Sequence, residues 1–221
     1  MLGRAIGEML PAALAVGIGP IFVIAVMLVP HDRRSRVASS AFVAGWIVGL
    51  TAVMVVLVAI TDDAAAAHAS DDNGVDWIML VIGALFIAFA VKQWLGRPRR
   101  GEVAPTPAWV EGLSTAAPTR AFALGLALLV ANPKNLALVF AGATAIAHAR
   151  LDRTETVIAI VIFVAIGSVV AVIAVLAALV APDRVARPLA AVRGFLTANV
   201  AVILAIVLFL LGASFLRDAL D

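Results

Sequence analysis

The chain has 221 residues, of which 64% are hydrophobic and only 14% charged, and its mean hydropathy is +1.12. A soluble domain of this length does not have such a composition, so the sequence predicts an integral membrane protein. The lack of cysteine excludes disulfides and thiolate metal sites. The net charge of +2, without a basic stripe interleaved with aromatic residues, argues against a nucleic-acid partner.

Six apolar stretches are long enough to cross a bilayer, which takes about 20 residues per helix. We therefore predict an all-α membrane protein with six transmembrane helices, called spans one to six here. The first stretch is too long and too interrupted for a cleavable signal, and five more follow it. The six spans are 7–29, 37–60, 77–95, 121–147, 156–180 and 195–216.

The basic residues divide unequally between the two ends of these spans, and such a bias sets the orientation of a membrane protein. The end reached after span one carries Arg33, Arg34, Arg36, Lys92, Arg97, Arg99, Arg100, Arg120, Arg184, Arg187 and Arg193. The other end carries Arg4, Arg150, Arg153 and Arg217, together with an aspartate-rich loop predicted at 61–76. Since lysine and arginine favour the cytoplasm, both termini are predicted to be extracytoplasmic.

Two of the spans contain helix-breaking residues near their middle. Span one has Gly17, Gly19 and Pro20, and span four has Asn132 followed by Pro133. Proline lacks the N–H of the helical ladder and pushes the preceding residue out of helical angles, so both spans are predicted to be broken.

The two breaks align the first half of the chain with the second at an offset of 133 − 20 = 113 positions. Halves of three helices each start on opposite sides of the membrane, which is typical of the inverted repeats of secondary transporters. We predict two inverted three-helix repeats with broken helices 1 and 4. Their bounds are 1–95 and 120–221, joined by a cytoplasmic linker at 96–119.

Span two carries a stripe of small residues, Ala41, Gly45 and Gly49, at a spacing of four. Such a stripe lets another backbone approach closely. Packing against span one or five within the chain is the main interpretation, and a homodimer through the same stripe is the alternative.

The run Ala131-Asn132-Pro133-Lys134-Asn135 places two amides and an ammonium in the middle of span four. Polar groups at that depth are tolerated only where protein or a water-filled cavity surrounds them. Lys134 is the only Lys or Arg deep in a span, and no Asp or Glu lies at its depth. The ammonium could be stabilised by the backbone carbonyls freed at the breaks or by an anionic cargo, or Lys134 could lose its proton and be neutral.

We predict a substrate-binding site where the two breaks meet, and the positive end of the half-helix after Pro133 favours an anion there. The alternative is that these residues only tie the broken helices together. The candidate residues are Gly17, Gly19, Pro20, Asn132, Pro133, Lys134 and Asn135.

An enzyme is not predicted. His31, His68 and His148 all fall in predicted loops without paired acids. The sequence has no serine nucleophile elbow, phosphate loop or His-Glu-His helix motif. We therefore predict no catalytic residue, no metal site and no cofactor.

Two stretches carry a resemblance to a known family. They are Phe42-Val43-Ala44-Gly45-Trp46-Ile47-Val48-Gly49-Leu50 and Asn132-Pro133-Lys134-Asn135-Leu136. With them, nearly the whole chain resembles the GAP family, the glycopeptidolipid-addressing proteins of actinobacteria, which is grouped with the lysine exporter (LysE) superfamily. The resemblance implies a six-helix transporter in the bacterial inner (plasma) membrane that moves glycolipids or peptidolipids toward the cell envelope. Gly19-Pro20 departs from the Ser-Pro pair expected in span one.

Three functions follow as hypotheses. The first is an exporter or flippase of an anionic or amphipathic envelope lipid or glycolipid, with alternating access between the two halves. The others are an exporter of a small solute such as an amino acid, and a non-transporting membrane scaffold for lipid export. A lipid cargo predicts a cavity open sideways between helices, whereas a small solute predicts a closed one.

Overall fold

Seven helices account for most of the residues that the computed structural model describes, which are 1–18, 33–68, 77–97, 116–180, 199, 201–217 and 219–220. There is no strand among these residues. In chain order the helices are α1 Leu2–Gly17, α2 Arg33–His68, α3 Trp77–Leu95, α4 Pro118–Ala131, α5 Pro133–His148, α6 Arg153–Val180 and α7 Ala201–Arg217.

Helix length and composition support a membrane protein. Arg36–Thr61 within α2 and Arg153–Ala177 within α6 are long and apolar enough to cross a bilayer, and the bent pair of α4 and α5 adds a third crossing if it is one span. Met79–Leu95 and Ala201–Arg217 are shorter apolar helices. Large side chains such as Val56 on α2 are exposed, as expected for a surface that faces lipid. The described residues thus form an all-helical membrane protein.

Some helix bounds differ from those predicted. α3 covers the predicted stretch 77–95, whereas α2 continues to His68 although a loop was predicted from residue 61. The reason is the run of alanines that follows Asp63, because alanine has the highest helix propensity and outweighs the two aspartates before it. The loop prediction was wrong for residues 61–68.

α2 and α4 cross in close contact through glycine. A Cβ on Gly45 would meet the backbone of Phe122, and a Cβ on Gly125 would meet the backbone of Phe42. A Cβ on Gly49 would lie 3.3 Å from Leu126 Cα. Gly45 and Gly49 of the small-residue stripe therefore pack within the chain, as the main interpretation held, but their partner is α4 and not the predicted span one or five.

α1 packs against α5 and α6, and α2 also contacts both of those helices. The end of α1 lies directly on α6, because a Cβ on Gly17 would be 3.2 Å from Ile166 O and 3.4 Å from Gly167 O. On the same side of α6, Phe163 covers Gly142 of α5. α1, α2, α5 and α6 therefore enclose the core of the bundle.

α3 and α7 form a second pair. A Cβ on Gly83 would lie 3.0 Å from Gly212 O, and a Cβ on Gly212 would lie 3.0 Å from Gly83 O. Phe86 and Phe215 stack with ring centroids 5.6 Å apart, a separation typical of favourable aromatic pairs.

The connection between α5 and α6 is a short, well-bonded turn. Arg150 adopts a positive φ of 46° and its N–H donates to Ala147 O at 3.1 Å. Asp152 then caps α6, because its Oδ1 accepts from Glu155 N at 2.8 Å and its backbone O accepts from Thr156 N at 2.9 Å. The turn holds the end of α5 close to the start of α6.

Candidate functional site

Span four is broken where the sequence predicts it. α4 ends at Ala131, α5 begins at Pro133, and the two helices are bent by 73°. Between them Asn132 has φ −103° and ψ 104°, an extended conformation that proline imposes on the residue before it. Pro133 occupies the first position of α5, where its missing N–H costs nothing.

Asn132 has a structural role at this break. Its Oδ1 accepts a hydrogen bond from the backbone N–H of Lys134 at 3.1 Å, and its backbone O accepts from Leu136 N at 3.2 Å. Asn132 is therefore the N-cap of α5, which satisfies one of the amide groups that a helix start leaves open.

Asn135 is the unusual residue of the motif. Its side chain lies in the first turn of α5 with a relative exposure of 0%. Neither Nδ2 nor Oδ1 has a hydrogen-bond partner among the described residues. Leaving a buried polar group unpaired costs about 1–3 kcal/mol, so the site is unfavourable for packing alone.

Lys134 is half-buried beside it, while Pro133 is exposed. In the part of the chain that the structure describes, the backbone N–H of Lys134 is paired with Asn132 but no carboxylate forms an ion pair with its ammonium. The ammonium thus stands at the positive end of α5.

The contribution of span one is described only in part. α1 ends at Gly17, close to the predicted break, with Ile18 as its C-cap, whereas Gly19 and Pro20 lie outside the described residues. Gly17 packs on the backbone of Gly167 in α6.

Ser168, next to Gly167, was not among the predicted site residues. It is 3% exposed and its Oγ has no partner within the described ranges. The available signal in the sequence was a hydroxyl in an otherwise apolar stretch.

α1 and α5 run in opposite directions. The start of α1 and the end of α5 share a cavity, which Arg4 and Glu8 line together with Thr144 and His148. Because α1 and α5 pack along each other, the opposite end of α1, at Gly17, points toward the start of α5 at Lys134 and Asn135.

The comparisons with known proteins give one match. No curated protein and no solved structure matches the chain. The family model described as SfLAP, the Sap, sulfolipid-1-addressing protein family, matches residues 9–221. This range includes the break between α4 and α5, the glycine crossing and the second half of α1, in agreement with the addressing-protein resemblance seen in the sequence. The chain belongs to the Sap, sulfolipid-1-addressing protein family.

Proposed function

We propose that the protein is an exporter or flippase of an anionic envelope lipid, with the lipid headgroup bound at the break between α4 and α5. The family description names a sulfolipid, whose headgroup is an anion. The apolar helices place the protein in a membrane, and a route for a charged headgroup through a membrane needs a polar site between helices. The family description and the lack of a catalytic motif favour such a transporter over an enzyme.

One observation carries the proposal: the fully buried side chain of Asn135 lacks hydrogen-bond partners among the described residues. A residue retained only for packing would be apolar there, because an apolar side chain of similar shape avoids the cost of an unpaired amide. An anionic headgroup oxygen that accepts a hydrogen bond from Nδ2 would remove part of this cost when it binds.

The charge at the break selects the kind of headgroup. The Lys134 ammonium and the positive dipole end of α5 both favour a negative group, and so do the amides of the first helical turn. Charge-assisted hydrogen bonds are about twice as strong as neutral ones. A sulfate or phosphate group meets these requirements better than a neutral sugar.

Helix registers support a common depth for the polar groups. Arg4 near the start of α1 and His148 at the end of α5 line one cavity, so the two helices are antiparallel and Gly17 lies toward the start of α5, where Asn135 is. Gly17 also contacts Gly167, the neighbour of Ser168. Asn135, Gly17 and Ser168 are thus expected at the same level of the bundle.

We further propose the six-span inverted repeat with units 1–95 and 120–221. Gly49 of span two approaches Leu126, and Gly167 of span five approaches Ala13, with its Cβ 3.7 Å from Ala13 O. The offset of 113 relates Leu126 to Ala13, and an offset of 118 relates Gly167 to Gly49. With these two offsets, the approach of Gly49 to Leu126 would correspond to the approach of Gly167 to Ala13, although a Cβ on Gly167 lies nearer to Leu50, at 3.1 Å.

The proposed location follows from the distribution of basic residues. The cavity at one end of the bundle gathers Arg4, Arg217 and, through a neighbouring cavity, Arg150. These residues share the end with fewer basic residues in the sequence, so we propose an inner-membrane protein with this end and both termini outside the cytoplasm.

Export of a small solute is the second candidate. The 0% exposure of Asn135 favours it, because a closed site suits a small cargo. A non-transporting scaffold is the remaining alternative, for which no movement of lipid is expected.

The test is a flipping assay in liposomes. Purified protein is reconstituted into phosphatidylcholine–phosphatidylglycerol vesicles that contain a nitrobenzoxadiazole-labelled sulfatide, and dithionite quenching reports movement between leaflets. Lys134→Met keeps the length of the side chain, removes its charge and should slow flipping at least about tenfold, the effect of losing one charge-assisted contact. Lys134→Ala is expected to do the same.

Lys92→Met is the matched control, because Lys92 lies exposed in the last turn of α3. Wild-type flipping that is insensitive to Lys134→Met and Lys134→Ala would reject the site. Absence of flipping by wild type would reject the lipid transporter, and efflux of labelled lysine from the same vesicles would then favour the small-solute exporter.

A further inference from the structure

Trp46 of α2 carries a further buried group without a partner. It is the largest fully buried side chain among the described residues, and its Nε1 has no hydrogen-bond partner there. The indole N–H can only donate a hydrogen bond. Phenylalanine would pack in an apolar core without leaving an unpaired donor, so packing alone does not account for tryptophan at this position.

Asn135 of α5 faces α6. It precedes Gly142 by seven residues, close to two full turns, so both residues lie on one face of α5. Phe163 of α6 covers Gly142. Because a short turn joins α5 to α6 and the two helices run in opposite directions, Asn135 is about 10 Å farther along α6 than Phe163, near the level of Val170.

Trp46 lies on a face of α2 that also contacts α6. A Cβ on Gly167 would be 3.1 Å from Cδ2 of Leu50. Trp46 precedes Leu50 by four residues, so the two side chains are neighbours on α2, about 6 Å apart along its axis. Gly167 in turn follows Phe163 by four residues. α2 and α5 therefore both pack on the same face of α6.

The start of α3 shows in which direction α2 runs. α3 and α7 pair in opposite directions, because Gly83 lies beside Leu216 and Ile87 beside Gly212. The end of α7 lines a cavity with His148, the last residue of α5. α3 therefore begins at the end of the bundle where α5 ends and α6 begins.

The link from α2 to α3, residues 69–76, spans at most about 30 Å. α2 extends about 27 Å beyond Leu50, and α6 extends about 21 Å from Gly167 back to its start. If α2 ran parallel to α6, the link would have to bridge about 48 Å. α2 is therefore antiparallel to α6, and Trp46 is expected about 6 Å beyond Gly167, close to the level of Asn135.

We propose that Trp46 is a further headgroup-binding residue, whose indole N–H donates to the same oxyanion as Asn135 Nδ2. This inference rests on the proposed function, which places a lipid headgroup at the break. A sulfate or phosphate group has acceptor oxygens for both N–H donors and for the Lys134 ammonium, and a charged acceptor forms a stronger hydrogen bond than a neutral one. The site then extends from α5 to α2, and an ammonium headgroup offers Trp46 no acceptor.

Ultraviolet resonance Raman spectroscopy tests this contact directly, because an indole band reports hydrogen bonding at Nε1. The variant Trp77→Phe/Trp94→Phe/Trp109→Phe keeps Trp46 as its only tryptophan. It is measured in dodecyl maltoside micelles without lipid, with sulfatide and with galactosylceramide, which is the same lipid without its sulfate. We expect an unbonded indole N–H without lipid and with galactosylceramide, and a saturable shift to a hydrogen-bonded N–H with sulfatide.

Flipping of the labelled sulfatide gives a second measurement. Trp46→Phe keeps an aromatic ring and removes the N–H, so it should slow flipping by about tenfold, the loss of one charge-assisted contact. Trp94→Phe is the matched control, because Trp94 is exposed on α3, and it should flip the lipid as fast as wild type. If Trp46→Phe does not fold, the Raman result decides alone.

The proposal is overturned if the Trp46 N–H is hydrogen-bonded without lipid, if sulfatide does not shift the band, or if galactosylceramide shifts it equally. Equal flipping by Trp46→Phe and Trp94→Phe would also reject it, while slow flipping by Lys134→Met would keep the proposed function. A saturable shift with sulfatide, in a protein that flips none, would keep Trp46 as a binding residue and reject the transporter.

Discussion

The crossing of α2 with α4 and the break between α4 and α5 differ in the side chains that they bury. At the crossing, Gly45 and Gly125 remove side chains so that two helices touch through their backbones. At the break, Asn132 caps a new helix start while Asn135 keeps a fully buried amide without partners among the described residues. The first region brings two backbones into contact, and the second keeps a buried side-chain amide at a cost.

This difference suggests that the crossing serves the stability of the fold and that the break serves its function. Close helix contacts through glycine stabilise membrane bundles by packing. Unpaired buried polar groups oppose stability, and the proposed function gives the amide of Asn135 a role outside folding. The following changes test whether the two regions are distinct in this sense, and the free energy of unfolding is measured by dodecyl sulfate titration of mixed micelles.

The largest loss is expected at the crossing. Gly45→Ala and Gly125→Ala each place a Cβ against the backbone of Phe122 or Phe42, which cannot move aside as a flexible side chain would. Each should lower the free energy of unfolding by about 1–3 kcal/mol or more, the cost of overpacking.

Gly7→Ala is the control for these two variants. No atom of the described residues lies within 4 Å of a Cβ at Gly7, which is inside α1. Alanine favours the helix over glycine by about 0.5–1 kcal/mol, so this variant should be neutral or more stable. Equal stability of Gly45→Ala and Gly7→Ala would show that α2 and α4 are not in backbone contact.

A smaller loss is expected at the cap. Asn132→Ala removes the acceptor for Lys134 N and should lower the free energy of unfolding by about 1 kcal/mol, a typical effect of losing an N-cap. Asn132→Ser retains a capping oxygen and should restore most of the loss. If alanine and serine are equally destabilising, the cap is not what holds the start of α5.

The smallest effect on stability is expected at Asn135. Asn135→Leu replaces an unpaired amide with an apolar side chain, so the free energy of unfolding should be unchanged or rise by up to about 1–3 kcal/mol. The same variant should slow flipping of the labelled sulfatide. A clear loss of stability would mean that Asn135 is paired within the fold, which contradicts a binding role.

The sequence predicted the break correctly because its cause is local. Proline at 133 fixes its own φ, removes one donor and restricts Asn132, and all three effects depend only on neighbouring residues. The apolar helices follow in the same way from composition and length. α1 ends at Gly17, whereas Gly19 and Pro20 lie outside the described ranges. The break predicted in span one therefore stays a prediction.

Other features depend on contacts between distant residues and could not be predicted. The stripe with Gly45 and Gly49 indicates close packing, but the choice of α4 as its partner follows from the three-dimensional arrangement. The burial of Asn135 without a partner is likewise invisible in the sequence, since the same residue could have faced Lys134 or a carbonyl. The cavity lined by Arg4 and His148 combines α1, α5 and α7, which lie far apart in the chain.

The tight turn at Arg150 and Asp152 has a mechanical consequence for the molecule. It couples α5 to α6 at one end, whereas at the other end Asn132 alone separates α5 from α4. α4 is about 21 Å long at 1.5 Å per residue, so a rotation of about 10° at Asn132 would displace its far end by roughly 4 Å. The glycine contacts join α4 to α2, and α2 also packs against α5 and α6, so the packing of α2 would resist such a rotation.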